Sequence, residues 1–320
     1  MVKQALKRLL ATSWGWKAGA LVRRTGVIVL MYHRITRGKE PFPGLDLARF
    51  RAQMQWIKRH GLVIAPEELL DYARAGRRTR PPVLVTFDDG YRDYYDNAYP
   101  ILDELRIPVV AFLATAFLDH GGMIWTDTVH WAAGTARVPV ARLPWDLRVT
   151  FDLRQPAQRS AFVGRCKADL KEAPDADRRR WLAALLTELG VAGREEEAGR
   201  QMLTWDEVRA TAPLTRYGGH THTHPIMSRL GPVELEREVG LCRERIAKET
   251  GVAPRYFAYP NGGPDDFTDD CKAVLRRHGF DLAFTTIEGP NEGQADPMAL
   301  RRTPTGAATL GDFVWLAGGR

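Results

Sequence analysis

A chain of 320 residues, 44% hydrophobic and 27% charged, can bury a large core and is neither disordered nor fibrous. Its net charge of +7 is local: residues 1–40 carry nine Lys or Arg and one acid, Glu40, which leaves about −1 for the other 280 residues and argues against a broadly basic nucleic-acid binder. Three cysteines (Cys166, Cys242, Cys271) with no Cys-x-x-Cys pair argue against disulfide staples and a structural zinc knuckle.

Residues 1–25 read as a basic amphipathic arm. Leu6, Leu9, Leu10, Trp14 and Leu21 fall near helical spacing, with Lys3, Lys7 and Lys17 between them. Such a helix either lies on an anionic membrane surface or packs on the outside of the domain. No apolar h-region precedes a small-residue cleavage site, and no stretch reaches transmembrane length. The expected location is the cytoplasm, with peripheral contact at the inner membrane face if the arm binds lipid.

From residue 26 onward strands alternate with helices. Gly26–Tyr32 is a continuous apolar run, so a buried strand, and it ends in His33-Arg34. Leu47–His60 has helical periodicity and stops at Gly61; Leu62–Ile64 is a short strand; Pro66 opens a helix. Val83–Phe87 is a strand, Tyr91–Leu105 a helix and Val109–Thr115 a strand. This alternation predicts βα units on a parallel sheet, open or closed into a barrel. It pauses over about residues 119–200, a mostly polar stretch that reads as a largely helical insertion with short β-like runs near Val138–Arg154. The insertion could cover or extend a site but shows no legible chemistry; Trp125, Trp131, Trp145 and Trp181 are either ordinary packing residues or flat faces on which a ligand ring could stack. The alternation resumes with a capping box from Thr204 to Glu207, a strand over Leu214–Gly219, a helix over Pro232–Thr250, a strand over Tyr256–Tyr259, a helix over Phe267–His278 and a strand over Leu282–Thr286.

The polar residues sit at predicted strand ends, where ligands bind in α/β sheets and barrels. They are His33, the pair Asp88-Asp89 before Gly90, the run His220-Thr221-His222-Thr223-His224, and the turn Pro260-Asn261-Gly262-Gly263. Alternation along an extended chain predicts that Asp88 and Asp89 point to opposite sides and do different jobs. Three of the eight histidines lie within five residues. Two His and one Asp with a position left open suit a catalytic zinc or another first-row ion. His220 and His224 stay together in either a helical or an extended geometry, so they are the preferred ligands, with His222 as the alternative. One aspartate would bind the ion while its neighbour takes a proton, and backbone N–H groups of the 260–262 turn would hold an oxyanion.

With these motifs in view the chain resembles the polysaccharide deacetylase (NodB-homology) family. Thr86-Phe87-Asp88-Asp89-Gly90 and His220-Thr221-His222-Thr223-His224 match two of its motifs in order. Tyr32-His33, Phe257–Gly262 and Phe284-Thr285-Thr286 are also similar to it. The resemblance covers roughly 26–118 and 203–305. It implies a distorted (β/α)7 barrel over 26–320, a divalent metal that is most often zinc, with cobalt, nickel or manganese as alternatives, and removal of N-acetyl groups from an amino sugar. Carried over by position, Asp88 is the base, Asp89, His220 and His224 are the ligands, and the Asn261 backbone N–H is the oxyanion donor. Ala258 stands where the family often has an arginine, so the charge that orients Asp88 is expected from Arg302 or Arg301, with Arg255 a weaker candidate. No Leu-x-His motif supplies the acid and His278 is misplaced for it, which makes His33 the expected acid. Tyr259, Pro260 and Trp125 are candidate substrate contacts. The expected partner is an N-acetylated glycan or a lipid-linked sugar, with no nucleic acid. A small non-sugar amide as substrate and a catalytically dead glycan-binding module are the competing readings.

Overall fold

The computed structural model describes residues 26–38, 42–75, 79–306 and 309–317. The basic arm lies outside these residues. Seven strands form the core: β1 (Ile28–Tyr32), β2 (Pro82–Phe87), β3 (Val109–Leu113), β4 (Thr215–Gly219), β5 (Tyr256–Ala258), β6 (Leu282–Glu288) and β7 (Leu300–Pro304). All pair in parallel, in the ring order β1-β7-β6-β5-β4-β3-β2, and β2 closes back on β1 over Ile28↔Val83 to Tyr32↔Phe87. The ladders are uneven. β4 and β5 share one register pair, Phe257↔Gly219, and β6 against β7 contains an irregularity. The result is a distorted (β/α)7 barrel, the architecture the resemblance implies.

Side-chain alternation sorts the strands into two faces. Val29, Leu84, Val110, Phe112, Ala258, Phe284 and Leu300 share one core, inside the barrel. Ile28, Leu30, Val83, Val85, Val109 and Ala111 point outward, where α1 (Leu47–His60) and α3 (Tyr99–Leu105) cover them with Phe50, Met54, Ile57, Ile101 and Leu102. Between them in the chain comes α2 (Leu69–Arg74), whose Leu69 and Ala73 join the cluster of Val29 and Leu84 instead.

Three details differ from the pattern read in the sequence. Leu62–Val63 pairs beside the start of β2 and stays outside the ring. The ring is closed instead by β7, whose sequence Leu-Arg-Arg-Thr-Pro is too polar to read as a buried strand. The predicted helix over Tyr91–Leu105 opens with a π-helical turn, Tyr94–Ala98, before α3. Pro100 has no N–H to give to Asp96, so the backbone widens there rather than continuing an α-helical ladder.

Between β3 and β4 runs the stretch read as an insertion. It holds α4 (Thr115–His120), α5 (Trp125–Thr135), an antiparallel hairpin (Val140–Leu143 with Asp146–Asp152), α6 (Pro156–Glu172) and α7 (Asp175–Glu188). These pieces build a core of their own from Val129, Trp131, Phe162, Cys166, Leu170 and Leu185, into which the barrel sends Phe42, Tyr91 and Met202. Trp145 and Trp181 stack on each other at 5.2 Å, so both serve packing. The chain re-enters the barrel through α8 (Trp205–Thr211), whose Thr204–Glu207 capping box is formed. It ends with α9 (Pro232–Thr250), α10 (Asp269–Arg277) and α11 (Leu310–Ala317). Among the described residues no helix is long and apolar enough to cross a membrane.

Candidate active site

Inward alternation on β2 runs Leu84, Thr86, Asp88, so Asp88 arrives at the strand end facing the barrel axis. On β7 the same rule brings Leu300 and then Arg302 inside, and Arg302 is fully buried. Its Nη1 and Nη2 donate to Asp88 Oδ1 and Oδ2 at 2.6 and 2.7 Å, and its Nε donates to Thr285 O at 2.7 Å. A buried ion pair is tolerable only when its donors are satisfied in this manner. Burial pushes the Asp88 pKa up, but Arg302, His33 and His220 together outweigh it and hold the carboxyl below its usual range.

Asp89 does not point away from Asp88, as alternation predicted. The strand has ended at Phe87, and the chain turns with φ of 78° at Asp89 and 83° at Gly90. Both carboxylates therefore line one cavity. Of the five described non-glycine residues with positive φ, four lie here: Asp89, Thr221, His224 and Asn261. Such conformations are uncommon and concentrate where a site over-determines the backbone.

Asp89 Oδ1 is buried and has no hydrogen-bond donor in the chain, yet His220 Nε2 and His224 Nε2 each lie 3.2 Å from it. Two ligands bound tetrahedrally at zinc distances stand about 3.3 Å apart, so this orphaned oxygen and two imidazoles match a metal-ligand edge. The ligand atoms of all three residues lie within 4.8 Å of one another, and all three residues are buried. His220 Nδ1 donates to Ala258 O at 2.6 Å, which leaves the Nε2 lone pair facing Asp89. The residues present therefore fit a divalent ion. His222 does not join them. Its Nδ1 sits 2.8 Å from Thr115 Oγ1, outside the cluster. Glu238 on α9 shapes this loop by accepting from His222 N, Thr223 N and Thr223 Oγ1 at 2.9, 2.7 and 2.7 Å.

The turn after β5 forms the third side. Asn261 and Gly262 have φ of 58° and 66°. Thr286 fastens them: its Oγ1 donates to Asn261 O and its N to Gly262 O, at 2.7 and 2.8 Å. A Cβ on Gly262 would lie 2.9 Å from Tyr259 O, so this position admits only glycine without a shift. Asp266 accepts from Gly263 N at 2.8 Å and from Lys171 of α6 at 3.0 Å. His33, with a side chain 44% exposed, stands at the open side with Nε2 3.7 Å from Asp88 Oδ2. The half-open cavity is about 300 Å³, at the small end for a ligand site and enough for about one sugar unit.

Several expected residues fall elsewhere. Tyr259 follows Phe257 on the outward face of β5, stacks on Phe267 and donates to Met298 O, so it is no substrate contact. Pro260 is buried beside it, behind the cavity lining. Trp125 is buried in the core of the insertion. Arg301 is exposed and donates to Glu288 O, Arg255 pairs with Asp281 on the surface, and His278 pairs with Glu236.

The sequence allows the insertion to wall the site but names none of the polar residues that do so. Thr126, Asp127, His130 and Lys167, all from the insertion, line the cavity with Arg34 and Tyr91. Arg34 is sandwiched between Phe42 and Tyr91, with its guanidinium carbon 4.5 and 3.6 Å from their ring centres, and it donates to Asp127 Oδ2 at 2.6 Å. No spacing rule links Arg34 to Asp127, 93 residues on.

Comparison with known proteins agrees with this construction. The sequence profile described as "Polysaccharide deacetylase" matches residues 75–137 and 194–283 and passes over 138–193. A poly-β-1,6-N-acetyl-D-glucosamine N-deacetylase of Staphylococcus epidermidis is 29% identical over 108 residues, 29% of this chain and 37% of that protein. A putative polysaccharide deacetylase of Bacillus subtilis is 32% identical over 94 residues, 29% of this chain and 33% of that protein. The matched segments thus span little more than a third of these relatives at most. Two solved structures share the fold: a Streptococcus pyogenes deacetylase in complex with acetate (TM-score 0.58, 16% identity, covering 88% of this chain and 93% of the other) and IcaB from Ammonifex degensii (TM-score 0.58, 20% identity, covering 92% and 98%). With both sequence motifs converging on one barrel mouth, the chain belongs to the polysaccharide deacetylase family.

Proposed function

We propose that this chain is a metal-dependent hydrolase that removes N-acetyl groups from an amino-sugar glycan or glycolipid precursor. One arrangement carries the reading: a buried aspartate clamped by Arg302 stands beside an Asp-His-His donor set in a sugar-sized cavity. The names of the curated relatives, N-deacetylases of a β-1,6-linked N-acetylglucosamine polymer among them, favour a glycan substrate. The basic arm of residues 1–25 would suit a lipid-linked one.

Asp89, His220 and His224 would hold the ion, and a two-His, one-carboxylate set suits zinc best, with cobalt, nickel and manganese as alternatives. When bound, the ion supplies Lewis acidity to the acyl carbonyl and eases deprotonation of water. Asp88 accepts the proton of the attacking water; its depressed pKa keeps it ionised at neutral pH. Arg302 fixes both oxygens of Asp88, so the carboxylate cannot rotate away. The Asn261 backbone N–H donates to the carbonyl oxygen as charge develops there. His33 gives a proton to the departing nitrogen as the C–N bond breaks, which yields acetate and a free amine.

The test is acetate release from N-acetylglucosamine oligomers by the metal-loaded protein, with Asp88→Asn and His33→Ala beside it. Wild type should release acetate, and each variant should be slower by about 10²-fold or more. Full turnover by His33→Ala would remove His33 from the mechanism. No acetate from any N-acetylated sugar would overturn the reading.

A further inference from the structure

The cavity carries one cation that the chemistry above does not use. Lys167, on α6, is half-buried and lines the same cavity as Asp88, Asp89 and His33. The other carboxylates on that lining are committed elsewhere: Asp88 to Arg302, Asp127 to Arg34 at 2.6 Å, and Asp89 to the donor set it forms with the two imidazoles. Among the described residues Lys167 makes no hydrogen bond, and no ion pair within 4.0 Å. Lys171, one turn further along α6, shows the contrast, since its ammonium is committed to Asp266 at 3.0 Å.

A half-buried lysine without a partner carries part of the cost of dehydrating its charge with nothing to offset it. Burial pulls the Lys167 pKa below its ordinary value, and Asp127 restores only part of it. His130 on α5 lines the cavity beside it, and burial with the Lys167 charge lowers its pKa, so it faces the cavity as a neutral imidazole with one N–H to donate. Lys167 also lies within residues 138–193, which the family profile passes over.

We propose that Lys167, with His130 beside it, binds an anionic substituent, a carboxylate or a phosphate, on the sugar that occupies the cavity. An ammonium is a compact point charge with three donors and suits either oxyanion. The partly dry wall makes the attraction stronger than it would be on the open surface. Only the kinetic part of the test below rests on the deacetylase reading.

Binding is measured by calorimetry on the metal-loaded protein with three sugars that cannot turn over: glucosamine, glucosamine 6-phosphate and muramic acid. Wild type should bind at least one acidic sugar tighter than glucosamine by about tenfold or more. Lys167→Gln should erase that preference, and Lys167→Arg should keep most of it. An anion bound by the metal alone would still be preferred by Lys167→Gln, and that result would overturn the proposal, as would equal affinity for all three sugars in wild type. The phosphate and carboxylate arms identify which anion is read. Melting curves establish that both variants fold, and the arginine variant keeps the test decisive if the glutamine variant does not. With the N-acetylated counterparts, Lys167→Gln should raise KM for the acidic sugar about tenfold and leave kcat nearly unchanged. Acetate released from none of them, with the Lys167-dependent preference intact, would overturn the deacetylase reading and leave this site standing.

Discussion

The barrel and the inserted segment both line the cavity, but they reach it by different routes. The barrel delivers Asp88, Asp89, His220, His224 and Asn261 from the ends of the parallel strands β2, β4 and β5, and fixes Asp88, His220 and the Asn261 turn with hydrogen bonds to neighbouring strands. The insertion delivers Asp127, His130 and Lys167 from helices with a separate core, and is tied to the barrel through Asp127 to Arg34, Lys171 to Asp266, and Asp119 to Arg245 of α9. Strand ends fixed by a ladder on each side suit a reaction that tolerates little displacement. Helices that rest on a few polar ties suit a wall that varies with the substrate. The difference predicts that changes in the barrel act on kcat and stability, while changes in the insertion act on KM and selectivity.

The largest effect should come from Asp88→Asn. Acetate release should fall by about 10²- to 10⁴-fold, while metal content measured by mass spectrometry stays unchanged, because Asp88 is not one of the three converging ligands. Loss of metal in this variant would break the division between base and ligands.

Arg302→Met should come next. It strips the partner from a buried carboxylate, a change worth about 3–5 kcal/mol in denaturant unfolding. In the fraction that folds, the pH profile should shift as well. Turnover needs ionised Asp88 and is lost as pH falls through its pKa. Arg302 lowers that pKa against the upward push of burial. Removing it leaves burial less opposed, so the acid limb should move to higher pH. An unmoved limb would dissociate Arg302 from the base.

Gly262→Ala should lose about 1–3 kcal/mol, since φ is +66° there and a Cβ would meet Tyr259 O at 2.9 Å. Its kcat should fall by more than its stability implies, because the turn presents the Asn261 N–H.

On the insertion side the effects should be smaller. Asp127→Asn weakens the Arg34 tie and should cost about 1–3 kcal/mol, with KM raised and kcat nearly kept. Lys171→Met should be smallest in stability, at about 1 kcal/mol or less, because that lysine is 39% exposed. Its kcat should stay nearly unchanged, because Asp266 still accepts from Gly263 N. A kcat effect from Asp127→Asn as large as that of Gly262→Ala would erase the contrast between the two regions.

The same contrast explains what the sequence disclosed. Strand ends that bear chemistry are short and local, so Thr86–Gly90, His220–His224 and Pro260–Gly263 could be found by composition and spacing. The parallel sheet followed from apolar runs buried on both faces, and only the family resemblance implied its closure into a barrel. β7 escaped as a strand because Arg302 is charged yet fully buried, although the family resemblance already offered Arg302 or Arg301 as the partner of Asp88, 214 residues from Arg302. Asp89 was placed on the wrong side because alternation ends where the strand ends, and a positive φ cannot be read from an aspartate. Tyr259 was misjudged by one position of the same alternation. The polar residues of the insertion's wall were illegible because Asp127, His130 and Lys167 come from two helices and meet only in the folded chain.

The most direct test is the metal content of the purified, reconstituted protein beside its Asp89→Asn and His220→Ala variants. About one equivalent of a divalent ion in wild type, lost from both variants, is the predicted result. No bound ion in wild type, or full occupancy in both variants, would contradict the account.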